Sequence, residues 1–316
     1  MRLSPCVVAL AVALAACTDG RHSELTARDG GGDPVSDGGA RPDLTGRDLS
    51  GEPSSDLAGG PVDDLATPVT AFGTLSANVS SYSSGAQSIR STSVSVQFVR
   101  LSSVSPSTCT TTMNGGCTIW VCPLPTPPSS SSPTYQSAGT VTVSGATSPI
   151  SLTPGANAMY PAFSDASHVL YAGGTTLTFS AAGATVGAFQ LAATAPSLLT
   201  LTAPATTAGK LTLDRTRDLT FTWSGGASGE ARVTLSSLTA SSSTLINCSA
   251  AASLGQMTVP RAALALLPSS PTSASWSFSS LSFATRMIGS YQMSTFLSAY
   301  GPGSDGAAAI GTLSYY

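Results

Sequence analysis

The side chains that could do chemistry are few. The chain has two histidines. His22 lies in a Gly- and Asp-rich stretch, so His168 is the imidazole available to a folded region. Asp165-Ala-Ser-His168 sets a carboxylate, a hydroxyl and an imidazole close together. A serine nucleophile needs a histidine base and a carboxylate that orients it, but those groups meet through tertiary structure rather than by adjacency. The Gly-x-Ser-x-Gly elbow does not occur, and Gly226-Ala-Ser228-Gly229 reads as a hairpin turn. His168 is therefore read as a surface or strand-end residue. Beyond residue 70 the acids are Asp165, Asp214, Asp218, Glu230 and Asp305. A glycosidase needs two carboxylates facing each other across a cleft, and the spacing singles out no pair. Asp214 and Asp218 flank Arg215 and Arg217, which suggests a solvated turn with local ion pairs. No Asp-x-Asp-x-Asp-Gly calcium loop occurs, and no glycine-rich phosphate loop precedes a helix. No catalytic residue, metal or cofactor is assigned.

Thiols carry the stronger signals. The chain has six cysteines. Arg2 is followed by an apolar run from Cys6 to Ala16, too short to span a bilayer, which takes ~20 residues, but laid out as a secretory signal. Leu14-Ala15-Ala16-Cys17 closes it. This resembles the lipobox of bacterial lipoproteins, which implies removal of residues 1–16 and acylation of Cys17 by palmitate-type chains. Each buried CH2 contributes ~0.8 kcal/mol, so two or more chains make a stable anchor. Thr18, rather than Asp, follows the cysteine, which by the same resemblance implies the outer membrane.

Export places the remaining Cys109, Cys117, Cys122 and Cys248 in an oxidising compartment, where disulfides are expected. A two-residue Gly115-Gly116 turn sets Cys109 opposite Cys122. An Asn114-Gly115 turn instead sets Cys109 against Trp120. Both suit a type I′ turn. The first is favoured, giving Cys109–Cys122, with Cys117 either free or joined to Cys248. The C-x7-C-x4-C spacing, with no histidine nearby, does not fit a zinc site.

Residues 17–70 form a segment of different character. Gly, Pro, Ser and Asp dominate, and such a composition cannot bury enough apolar surface to offset chain entropy, so disorder is expected. Asp-Leu recurs at Asp43-Leu44, Asp48-Leu49, Asp56-Leu57 and Asp64-Leu65. This resembles the Asp-Leu tethers of lipoproteins from myxobacteria and similar high-GC bacteria. As a flexible coil the segment spans roughly 40 Å on average, and about 180 Å fully extended.

The elements that must position any site lie in 71–316, where apolar and polar residues alternate in short runs between Gly, Pro and Ser. Val94, Val96 and Phe98 make one strand. Val141 with Val143, Leu177 with Phe179, Leu199 with Leu201, and Val233 with Leu235 make others. Leu219, Phe221 and Trp223 make another, with Trp223 in the core. Trp276 and Phe278 share one parity and Leu281 and Phe283 the other, which suggests a bulge near Ser279-Ser280. One or two helical turns fit between Pro260 and Pro268. The fold class expected is all-β: two antiparallel β-sandwich units, 71–204 and 205–316. Asp218 to Trp223, a Ser-Gly-Gly turn, and Ala231 to Leu235 resemble the Trp-bearing strand and its hairpin neighbour in immunoglobulin-like and fibronectin type III-like domains. The terminal Ile310, Thr312, Ser314 and Tyr316 alternate as a last sandwich strand. An outer-membrane barrel would need repeated apolar faces and aromatic girdles.

Eight dispersed basic residues beyond residue 70 and a net charge of −3 make no nucleic-acid patch. The expectation is a non-enzymatic envelope lipoprotein, lipid-anchored in the outer membrane and facing the periplasm or the surface. Its role would be adhesion, or contact with matrix, an envelope protein or a polysaccharide. The rivals are a tethered polysaccharide hydrolase and an accessory lipoprotein of a secretion or assembly complex.

Overall fold

A computed structural model describes residues 69–84, 87–102, 109–124 and 133–316. The signal segment 1–16, Cys17 and all of 17–70 except its last two residues lie outside the described residues.

The chain is all-β. Its first half contains β1 (Ala71–Ser84), β2 (Gln87–Arg100), β3 (Thr110–Asn114), β4 (Cys117–Pro123), β5 (Thr134–Tyr135), β6 (Val141–Ser144), β7 (Ile150–Leu152), β8 (Phe163–Asp165), β9 (Thr176–Ala181) and β10 (Phe189–Thr194). Then follow β11 (Thr200–Ala203), β12 (Leu211–Leu213), β13 (Leu219–Ser224), β14 (Glu230–Leu238), β15 (Ser242–Ala251) and β16 (Gln256–Val259). A short helix α1 (Arg261–Leu264) precedes β17 (Ser273–Ile288), β18 (Tyr291–Tyr300) and β19 (Ile310–Tyr315). Alternation explains the strands: Val94, Val96 and Phe98 are buried, whereas Ser93, Ser95 and Gln97 are not, the period of two that a pleated strand imposes. In α1 and the turn after it, Ala263, Leu264 and Leu267 are buried.

One large sheet organises the molecule. Its main path runs β3-β4-β15-β14-β17-β18-β1-β2-β5. The spine is β17, paired with β14 over Ser273–Leu281 and with β18 over Ser280–Ile288. Two smaller sheets complete two hydrophobic cores. The first core joins Leu75, Val96, Phe98, Met293 and Leu297 of the large sheet to Val141, Leu177, Phe179 and Leu191 of the sheet β10-β9-β6-β7. The second joins Ile119, Val233, Leu235, Ile246, Trp276 and Phe278 to Leu201, Phe221, Trp223 and Val259 of the sheet β11-β13-β16. Strands from both sides of residue 204 enter both cores: β18 serves the first and β4 the second.

Three features differ from expectation. First, β17 has no bulge at Ser279-Ser280; its register with β14 and then β18 is unbroken. Leu281 and Phe283 lie on the outer face, opposite Trp276 and Phe278, and Phe283 packs against Phe296 with ring centroids 4.7 Å apart. An aromatic pair across strands satisfies apolar groups on that face without a change of phase. The register shift that does occur lies between Leu201 and Ala203, where β11 meets β13.

Second, Leu219–Ser224 and Glu230–Leu238 do not form a hairpin. The first pairs with β11 and β16, the second with β15 and β17. The Gly-rich connection carries the chain from one layer to the other, so Trp223 and Val233 enter the second core from different sheets. Gly226 (φ 95°) makes this crossing; a Cβ there would lie 2.5 Å from Leu199 Cδ2.

Third, two pairings are parallel, β1 with β18 and β12 with β19. These partners are distant in the chain, so no tight hairpin dictates their direction.

Candidate functional site

The β3–β4 hairpin holds all four cysteines' connections. Asn114 pairs with Cys117 and Thr110 with Val121, so Gly115-Gly116 is the turn and the Asn114-Gly115 alternative is not formed. Cys109 is bonded to Cys122, with Cα atoms 4.1 Å apart. Cys117 is not free: it is bonded to Cys248, with Cα atoms 4.0 Å apart. These two face each other directly in the β4–β15 register. Because side chains alternate, Cys117 enters the core whereas Cys122 points to the other face of β4. The strand is thus stapled to one neighbour on each side. Cys17 lies outside the described residues.

Asp165, Ser167 and His168 do come together, at the end of β8. Thr92, buried on β2, holds this loop: its hydroxyl donates to the His168 carbonyl at 2.9 Å and accepts from the Leu170 N–H at 2.9 Å. The Asp165 carboxylate accepts the backbone N–H groups of Ser167 and His168 at 2.9 and 3.1 Å. It also accepts the Ser167 hydroxyl at 2.8 Å. Nδ1 of His168 lies 3.0 Å from Asp165 Oδ2 and 2.8 Å from Ser167 Oγ. A catalytic triad places the carboxylate on Nδ1 and the serine on Nε2. Here both crowd the same nitrogen, so the imidazole has no second nitrogen aimed at the serine. The Ser167 backbone N–H, then its hydroxyl and His168, hold the Asp165 pKa down at about 2. This is a side-chain-closed turn, with the imidazole 69% exposed.

Three of the other acids are tied into local structure. Asp214 accepts the Thr216 hydroxyl at 2.6 Å and N–H at 2.8 Å, and pairs with Arg217 at 3.4 Å. Asp218 accepts the Arg261 N–H at 2.7 Å and so caps α1. Asp305 accepts the N–H groups of Gly209 and Ala307. Glu230 is exposed. Among the described residues, no three His, Cys, Asp or Glu side chains cluster closely enough to hold a metal ion.

Two features were not visible in the spacing of residues. One is an open hollow of about 450 Å³ at the edge of the second core, lined by Arg215, Thr216, Arg261, Ala262, Ala265 and Tyr316. Arg215 is held there by donating Nη1 to the Leu267 carbonyl at 2.7 Å and by lying over the Tyr315 ring at 5.4 Å. The other is the outer face of the large sheet. Phe283 and Phe296 form its aromatic pair, and Met287 is 52% exposed nearby. Asn78 donates to Ser93 and accepts from Ser298, and Ser76 is bonded to Ser95. Arg232 on β14 belongs to the same face. It is half-buried, its Nε is fully buried, and no acceptor reaches that atom. Burial lowers the guanidinium pKa, against the opposing pull of Glu230 and Tyr300.

No protein family, no curated protein and no solved structure matches this chain.

Proposed function

We propose that this chain is an exported outer-membrane lipoprotein, anchored through acyl chains on Cys17, whose β body serves as a non-catalytic binding module. The anchor rests on Leu14-Ala15-Ala16-Cys17 behind a short apolar run, and the outer-membrane placement on Thr18. The binding reading is carried by the outer face of the large sheet, where exposed Phe283, packed against half-buried Phe296, stands among ordered hydroxyl and amide groups. A hydrolase needs a base aligned on its nucleophile, or two carboxylates across a cleft. Asp165 and Ser167 instead share one ring nitrogen of His168, Nδ1.

The test is metabolic labelling with palmitate followed by membrane fractionation. The parent protein takes up label and sediments with membranes. Cys17→Ser loses the label and leaves a soluble or unprocessed protein with its β body folded. A correctly processed Cys17→Ser protein that stays in the membrane fraction rejects the anchor. Protease shaving of intact cells separates the two orientations: release of peptides from 71–316 means surface display, and full protection means the periplasm.

A further inference from the structure

The registers of the large sheet arrange its outer face in rows. Phe283, Phe296, Ser76 and Ser95 share one row. The next holds Glu230, Leu281, Ser298, Asn78 and Ser93. The row beyond begins with Arg232 and Ser279 and continues near Tyr300, Ser80 and Ser91. Successive rows are two residues apart, so the Arg232 row lies ~13 Å along the strands from the Phe283 row.

Three properties of this face select a ligand. The first is the aromatic surface. Phe283 is 37% exposed and packs at 42° against Phe296. It offers a ring to aliphatic C–H groups, yet its row is completed by serines. The apolar core of a protein interface would be more extensive.

The second is the surrounding chemistry. Ser76, Asn78, Ser80, Ser93, Ser95 and Gln97 are hydroxyls and amides set by the strand register on one face, Ser95 exposed and the others half-buried. Short groups fixed in this way match a chain of hydroxylated rings, whose donors and acceptors also repeat at regular intervals.

The third is Arg232. Among the described residues the ion pairs are Asp165–His168 and Asp214–Arg217; Arg232 has none, although Glu230 stands on the same strand and face. A partly desolvated cation without a bonded partner is unfavourable, because burial removes water from the charge and nothing replaces it. A carboxylate supplied from outside would form the charge-assisted hydrogen bonds that a guanidinium favours.

We propose that this face binds an extended acidic polysaccharide of the hexuronate type, one ring stacking on Phe283 and Phe296 and a carboxylate engaging Arg232. The proposal rests on the reading of the β body as a binding module and supplies that module's ligand class.

Full-length Cys17→Ser protein is titrated calorimetrically with polygalacturonate and, in parallel, with dextran as a neutral polymer. Binding to polygalacturonate and not to dextran is expected, weakening steeply as salt rises. Phe283→Ser lowers the affinity at least tenfold, whereas Phe283→Trp keeps it. Arg232→Gln also lowers it at least tenfold. Thermal melts establish that each variant is folded. Equal binding of both polymers, no binding of polygalacturonate, or folded Phe283→Ser and Arg232→Gln proteins that bind like the parent would overturn the proposal. Failure here with palmitate labelling intact rejects the ligand class and leaves the anchor standing. Binding without labelling does the reverse.

Discussion

Cys117 on β4 and Cys248 on β15 face each other as a directly opposed pair, bonded through sulfur with Cα atoms 4.0 Å apart. The Ser249 N–H reaches the Gly116 carbonyl at 3.4 Å, which marks this as one of the close, non-hydrogen-bonded positions of an antiparallel ladder. The bond therefore ties the hairpin of the first half of the chain to a strand of the second.

Its removal should cost more than removal of its neighbour. The Cys117–Cys248 loop closes 131 residues and the Cys109–Cys122 loop 13. Loop entropy in the unfolded chain gives about 5 kcal/mol for the first and about 3 kcal/mol for the second. Denaturant unfolding of the two double Cys→Ala variants measures this order. An equal or inverted order would show that native packing, not loop closure, dominates.

Ser280 sits at the register where β17 passes from β14 to β18, wholly buried on the core side. Its hydroxyl donates to the Ser197 carbonyl in the connection between β10 and β11. Ser280→Ala leaves that carbonyl without its donor and should destabilise the fold by about 1–3 kcal/mol. Chemical denaturation reads the change, and a neutral result would mean that water replaces the hydroxyl.

Gly301 follows β18 where the chain presses against the carbonyl of Leu199, just before β11. A Cβ at this position would stand 1.7 Å from the Leu199 oxygen. Gly301→Ala must displace backbone on one side or the other, and a loss of 3 kcal/mol or more is expected. A melting temperature unchanged from the parent would contradict the close approach.

The Asp165 turn gives a pH signature. Its pKa is lowered from 3.8 to about 2, with the Ser167 backbone N–H as the largest cause. A depressed carboxylate pKa contributes stability that is fully present above pH 3.8 and is lost as pH falls toward 2. Carbon-13 NMR should show Asp165 titrating near pH 2. His168→Ala should leave it well depressed, because the imidazole is a minor cause. A return to about 3.8 in that variant would give the histidine the larger role.

Part of this architecture was legible one residue at a time. Alternation at Val94 to Phe98, Val141 to Val143 and Leu219 to Trp223 marks strands because a pleated chain turns its side chains over every residue. The β3–β4 hairpin was legible down to two registers, the Gly115-Gly116 turn favoured over Asn114-Gly115, since a two-residue loop fixes a hairpin's register; the structure forms the first. Leu281 and Phe283 misled for a related reason: a change of parity looks like a bulge unless an apolar pair such as Phe283–Phe296 waits on the other face.

The amino-acid sequence by itself determined the strand-rich class, the helical turn before Pro268 and the thin supply of catalytic groups. Those properties are local, set by side-chain period, turn chemistry and composition. Only the tertiary structure decided that β13 and β14 lie in opposite layers, that Cys117 reaches Cys248, and that Arg232 and Phe283 share a face. Each of these depends on which distant strands pair and in what register. That choice is made by burial summed over two cores, and no short run of residues encodes it.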